Sequence, residues 1–166
     1  LEATVSAICT YTDWSYGEVW TPASDGDYLA YTLGHTDDPG VEEFLHASRS
    51  VTFADGEGLP GRVYQSRSPE WIPDASEEPV DVFHRAELAT EADLRAAFAV
   101  PIVADEEVVS VLAFFLRERR ENDGRLAADI TDVAARLGGL VERKQAERQR
   151  RHRTEQLDRF TSTVSH

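Results

Sequence analysis

An α+β domain continued by a long C-terminal helix is the fold class this sequence predicts, on three observations. Residues 96–103 and 108–116 are two apolar runs joined by Ala104-Asp105-Glu106-Glu107, the pattern of an antiparallel hairpin. From Asp123 onward, Leu126, Ile130, Val133, Leu137, Leu140 and Val141 recur largely at threes and fours, an apolar stripe wide enough to cover a sheet or pair with a second helix. Before residue 96, short strand-like and helix-like stretches follow one another with no parallel βαβ unit among them.

Taken in order, Val5, Ile8 and Cys9 fall at helical spacing, which predicts a helix that breaks near Asp13. Residues 14–20 alternate bulky with small or polar side chains, 21–27 are turn material, and 28–33 read as the second strand of a hairpin. Val41, Phe44 and Leu45 lie on one face of a short helix within 39–50, capped by Asp37 or Asp38. A short strand over 51–53 leads to the glycine loop 56–61 and a helix from Pro60 to about Arg67. Residues 68–73 hold two prolines and are an edge strand at most, and 74–82 read as a flexible acidic loop. Helical signals return over 87–95, ahead of the two strands and the exit helix.

Composition narrows the function. The 166 residues, 41% hydrophobic, suffice for one core plus an extension. The chain opens at Leu1 and contains no methionine, so it is expected to be a piece of a longer protein. It has neither an apolar run of membrane-spanning length nor a signal peptide. A cytoplasmic location is expected, with the parent free to carry spans upstream. Residues 1–116 hold 5 Arg against 22 Asp or Glu, whereas 117–166 hold 12 Arg or Lys against 9 Asp or Glu. So acidic a body is a poor candidate for nucleic acid, because phosphate contacts need clustered cations, and the Glu residues interspersed around Arg148 to Arg153 argue against a DNA-contacting helix there, so no nucleic-acid partner is expected. A single lysine among so many arginines, on an acidic surface, resembles the proteins of salt-accumulating haloarchaea. Cys9 stands alone, which excludes an internal disulfide or a cysteine zinc site.

Four pieces carry a resemblance to a family: Trp14-Ser15-Tyr16-Gly17-Glu18-Val19-Trp20, Gly56-Glu57-Gly58-Leu59-Pro60-Gly61-Arg62-Val63, Ala99-Val100-Pro101-Ile102, and Val111-Leu112-Ala113-Phe114-Phe115. In that order, over residues 1 to about 140, they resemble a GAF domain. The resemblance implies an antiparallel sheet flanked by helices, a pocket over one face, and a role as a small-molecule sensor or dimerisation unit. The cyclic-nucleotide signature of the family cannot exist here, since Asn122 is the only asparagine, and bilin attachment lacks its cysteine. A methionine sulfoxide reductase of this family would need more thiols than Cys9.

Other motifs weigh against chemistry inside the domain. Gly56, Gly58 and Gly61 satisfy Gly-x-Gly-x-x-Gly, yet Glu57 would repel a pyrophosphate and Pro60 removes an amide donor. His35, Asp37 and Asp38 have metal-ligand chemistry but read as a solvated turn, and no metal site is expected. For an unknown small ligand the expected pocket residues are Trp20, Trp71 and Phe98, with Arg62 anchoring an anionic group.

The last seven residues, Phe160-Thr161-Ser162-Thr163-Val164-Ser165-His166, resemble the H-box of sensor histidine kinases. That resemblance makes His166 the expected phosphoacceptor, since a neutral imidazole is the nucleophile such a transfer needs. It also implies a homodimer through the C-terminal helix, a parent kinase domain that binds Mg-ATP, and a response regulator as partner. No cofactor is expected in the chain itself. The expected organisation is a sensory domain over 1–122, a signalling helix over 123–156, and the start of the phosphoacceptor helix over 157–166. The stripe lapses between Val141 and Leu157, where a stutter or local unwinding is expected. The alternative is a non-catalytic ligand-binding or dimerisation module of a transcriptional regulator.

Overall fold

The computed structural model describes residues 1–164. A six-stranded antiparallel sheet forms the centre: β1 (Tyr16–Pro22), β2 (Tyr28–His35), β3 (Thr52–Ala54), β4 (Glu70–Ile72), β5 (Ala97–Ala104) and β6 (Glu107–Phe115), in the order β3-β2-β1-β6-β5-β4. Helix α1 (Glu2–Tyr11) and the long α5 (Gly124–Val164) cover one face. The short helices α2 (Glu42–Ser48), α3 (Gly58–Ser66) and α4 (Ala86–Glu91) cover the other.

Strand alternation divides the core in two. On the α2–α4 face lie Tyr16, Trp20, Leu29, Phe44, Phe53, Leu59, Phe83 and Phe115; on the α1–α5 face lie Val5, Trp14, Val19, Phe98, Leu112, Phe114 and Ile130. Two irregularities adjust the pairing. One between Val19 and Trp20 brings Trp20 opposite Tyr31, and the other between Ile102 and Val103 leaves Val109 unmatched on β6. The β5–β6 turn is a two-residue one in which Asp105 and Glu106 both take positive φ, 51° and 67°, as the right-handed strand twist favours.

Local chemistry sets the helix starts. Asp38 accepts from the Gly40 amide at 2.9 Å and opens a 3-10 turn over Pro39–Val41 that runs into α2. Asp123 accepts from the Arg125 and Leu126 amides at 3.1 and 3.2 Å and opens α5. Helix α3 begins two residues before the expected Pro60, at Gly58, whose φ of +63° only glycine adopts freely. Pro60 falls in the first turn, where its missing N–H leaves no bond unmade. The acidic stretch after β4 is also more ordered than a flexible loop: buried Asp74 caps a 3-10 turn over Ala75–Glu77 and pairs with Arg95 at 3.1 Å. No helix among the described residues is long and apolar enough to cross a membrane.

Candidate functional site

Period-two alternation along β1 sends Tyr16, Glu18 and Trp20 to the same face, toward α2–α4. Glu18 is fully buried there, and Arg85, at the start of α4, meets it with only 2% of its surface exposed. The contact is a two-pronged fork. Arg85 Nη2 lies 2.6 Å from Glu18 Oε1, and Nη1 lies 2.8 Å from Oε2 and 2.9 Å from Ser48 Oγ. The Tyr16 hydroxyl donates to Glu18 Oε2 at 2.8 Å. Burial drives the Tyr16 hydroxyl well above its usual range, and the Glu18 carboxylate adds to that.

Around this fork stands an aromatic cage. The Arg85 guanidinium carbon is 5.1 Å from the Trp20 ring centre, 4.9 Å from Phe44, 5.4 Å from Phe53, and 5.6 Å from both Phe83 and Phe115. The rings brace one another, with Trp20 against Phe53 at 4.7 Å and Phe44 against Phe115 at 5.5 Å. A buried cation over aromatic faces gains roughly 2 kcal/mol. Satisfaction is nevertheless incomplete: Arg85 Nε, Trp20 Nε1 and the Tyr31 hydroxyl are buried without a hydrogen-bond partner.

The four expected pocket residues do not converge. Trp20 belongs to the cage, but Trp71 and Phe98 lie on the opposite face, 5.6 Å from each other, where Trp14 packs against both. The Trp71 indole donates to the Arg120 carbonyl at 2.8 Å, which makes it a fastener of the segment leading to α5. Arg62, the expected anion anchor, is engaged within the chain. Its Nε shares both Glu70 carboxylate oxygens at 3.1 Å and its Nη1 donates to the Val82 carbonyl, so the guanidinium is spent within the chain. The reason is geometric: Phe98 sits one residue out of phase with the cage-facing Ala97 and Ala99, so it must point the other way. The charged pair at the centre of the cage, Glu18 and Arg85, was not singled out by the sequence. A carboxylate between two aromatics at period two was the available signal, whereas nothing local marks Arg85.

The glycine loop has its amides in use. The Gly56 amide donates to the Gly61 carbonyl at 2.9 Å, the Glu57 amide to the Ala54 carbonyl at 2.9 Å, and the Glu57 carboxylate accepts from the Ala54 amide at 2.8 Å. Those donors are not free to cradle a phosphate. Asp38 caps Gly40 and pairs with Arg117 at 2.5 Å, and no cluster of three metal-ligating side chains occurs among the described residues. The expected phosphoacceptor His166 lies outside the described residues.

Known proteins share this architecture. A solved GAF domain of a phosphoenolpyruvate-protein phosphotransferase from Coxiella burnetii superposes with a TM-score of 0.70 at 19% identity, covering 89% of this chain and 83% of that one. A solved domain named as that of a "putative two-component sensor histidine kinase protein" from Sinorhizobium meliloti 1021 superposes with a TM-score of 0.65 at 16% identity, covering 90% and 94%. In sequence, the chain is 35% identical over 95 residues to Protein NLP8 of Arabidopsis thaliana, which takes in 52% of this chain and 10% of that protein. The chain therefore spans only a small part of the curated relatives it matches. Residues 1–141 match the GAF domain family over the segment that holds the sheet, the cage and the root of α5, and the chain belongs to that family.

Proposed function

We propose that this GAF domain is the sensory and output module of a cytoplasmic two-component sensor histidine kinase, whose signal is received at the Glu18–Arg85 cage and delivered along α5 to His166. The observation that carries the reading is the helix itself. α5 runs 41 residues without a break, and residues 142–162 are exposed throughout, about 30 Å of helix beyond the domain. A lone helix so poor in apolar side chains is marginal in water. A second copy would cover its exposed Leu140, Leu157 and Phe160. An apolar cleft of about 480 Å³ where α5 leaves the sheet, lined by Leu1, Val109, Leu137, Leu140 and Val141, extends that surface.

The connection from cage to helix is short. Glu18 on β1 pairs with Ala113 on β6, Ala113 pairs with Ala99 on β5, and the next residue, Val100, shares the α1–α5 face with Ile130 and Ala134 of α5. Displacing the cage therefore shifts strands on which the output helix rests. The likeness to a sensor-kinase domain at low identity supports the fold, and the resemblance of Phe160, Val164 and the Ser165-His166 pair to an H-box supports the output. In the parent, Mg-ATP would supply the phosphoryl group, and an aspartate of a response regulator would receive it. The acidic surface fits a cytoplasm rich in salt.

The test is phosphorylation of the full parent protein with γ-labelled ATP, native against His166→Gln. Acid-labile, base-stable label that the substitution removes is the expected result. Absence of both label and ATP binding under molar salt would assign the domain to a non-catalytic regulator.

A further inference from the structure

We propose that the aromatic cage is a recognition site for a small organic cation of the guanidinium class, with Arg85 as its tethered resident, exchanged for the free cation when the 76–94 segment lifts away. The inference rests on the sensory reading of this site and names the chemistry of its signal.

A core of this kind has no need of charge. An apolar side chain would fill the space between Phe44, Phe53, Phe83 and Phe115 without desolvating a guanidinium and a carboxylate. The site instead provides what a guanidinium requires: a carboxylate presenting both oxygens to the two terminal nitrogens, a hydroxyl from Ser48, and the aromatic faces of Trp20, Phe44, Phe53 and Phe115, all outside the segment that lifts. Every one of those polar contacts is to the terminal fork of Arg85 and none is to its stem, so recognition does not depend on the tether. The fit of the resident is also imperfect. Arg85 Nε and Trp20 Nε1 are donors buried with no acceptor, so the resident leaves polar groups of the site unmatched.

The tether is built to move as a unit. Its neck is closed by the Ala75 amide donating to the Arg95 carbonyl at 2.6 Å and by the Arg95–Asp74 ion pair. The loop and turn bonds within the neck fold the segment on itself: Val82 and Phe83 to Pro79, Ala86 to Phe83, Ala89 to Arg85, Leu94 to Ala89. It pairs with no strand. What fastens it to the body is the Arg85 fork, the Arg62–Val82 contact, the His84 ring 5.9 Å from Phe53, and the packing of Phe83, Ala86, Ala89, Ala92 and Leu94 in the core, with no backbone ladder among them. Segments held by side chains over a closed neck open at lower cost than laddered strands.

Calorimetry and hydrogen exchange on the 166-residue chain, with agmatine and methylguanidinium as probes, test the proposal. The native chain is expected to bind agmatine and, on saturation, to exchange the amides of 76–94 faster, because the ligand expels the segment. Arg85→Ala, freed of its tethered competitor, is expected to bind methylguanidinium at least about tenfold more tightly than the native chain. Adding Glu18→Gln to it should abolish that binding. Tetramethylammonium, a cation with no N–H, should bind far less well than either probe. No agmatine binding by the native chain at millimolar concentration, or binding that leaves 76–94 unchanged or more protected, overturns the proposal even if Arg85→Ala fails to fold. Neither measurement involves phosphotransfer, so a failed kinase reading leaves this result standing, and a failure here leaves the labelling result standing.

Discussion

A guanidinium and a carboxylate taken out of water together gain less than their short contacts imply, since each has lost its hydration, and removing only one leaves the other stranded. Glu18→Leu or Arg85→Met alone is therefore expected to cost about 3–5 kcal/mol of folding stability, while the double substitution Glu18→Leu/Arg85→Met costs much less than the sum. Urea titration of the four proteins checks this. Additive losses would mean that Glu18 and Arg85 act separately, against the fork at 2.6 and 2.8 Å. Tyr16 supplies a second test. Its hydroxyl is raised in the folded chain by burial first and by Glu18 next, so its contribution is complete below the unfolded value of about 10 and is lost as pH rises toward the folded one. The native chain should lose stability above about pH 10, and Tyr16→Phe should flatten that limb. A limb equally steep in both would exclude Tyr16 as its source.

Elements were legible wherever the residue pattern and the tertiary environment agreed. The β5–β6 hairpin, β1–β2 and α5 follow their sequence patterns to within a few residues, since period two and period three-to-four report directly on burial. The site was less legible because it is assembled between elements. Reading Trp20, Trp71 and Phe98 as one pocket treats aromatic content as location, but strand phase places Trp71 and Phe98 behind the sheet. Arg85 is joined to Glu18 across 67 positions, a link that no local pattern holds. The expected unwinding between 141 and 157 is absent, and α5 continues helically through that polar stretch. The Gly138-Gly139 pair within α5 shows how finely an element is fitted. A Cβ on Gly138 would lie 2.2 Å from the Val103 carbonyl oxygen, whereas one on Gly139 would meet nothing within 4 Å. Gly138→Ala is expected to push α5 off β5 and cost about 1–3 kcal/mol. Gly139→Ala should add about 0.5–1 kcal/mol by lowering the freedom of the unfolded chain. Thermal unfolding of the two variants distinguishes them, and a loss in both would place a second packing surface at Gly139.

Across the whole molecule the charges are unevenly shared. Of the 5 arginines before residue 117, against 22 carboxylates, Arg62, Arg85 and Arg95 already pair with Glu70, Glu18 and Asp74. Arg117 and Arg120, just beyond β6, reach back to Asp38 and Asp13. Most carboxylates of the body are left to repel one another, so two opposing salt effects compete. Salt weakens exposed pairs such as Arg117–Asp38, each worth about 0–1 kcal/mol. It also screens a net repulsion among many like charges, over distances that exceed the roughly 3 Å Debye length at 1 M. The second effect involves far more charges, and the Glu18–Arg85 pair is buried beyond the reach of screening. The thermal midpoint is therefore expected to rise steadily from dilute buffer to molar KCl. Substituting four body carboxylates by their amides, away from Glu18, Asp38 and Asp74, should reproduce part of that rise without salt. A midpoint that stays flat or falls would mean that the exposed pairs outweigh the repulsion, and would remove the physical basis for linking this acidic surface to a salt-rich cytoplasm.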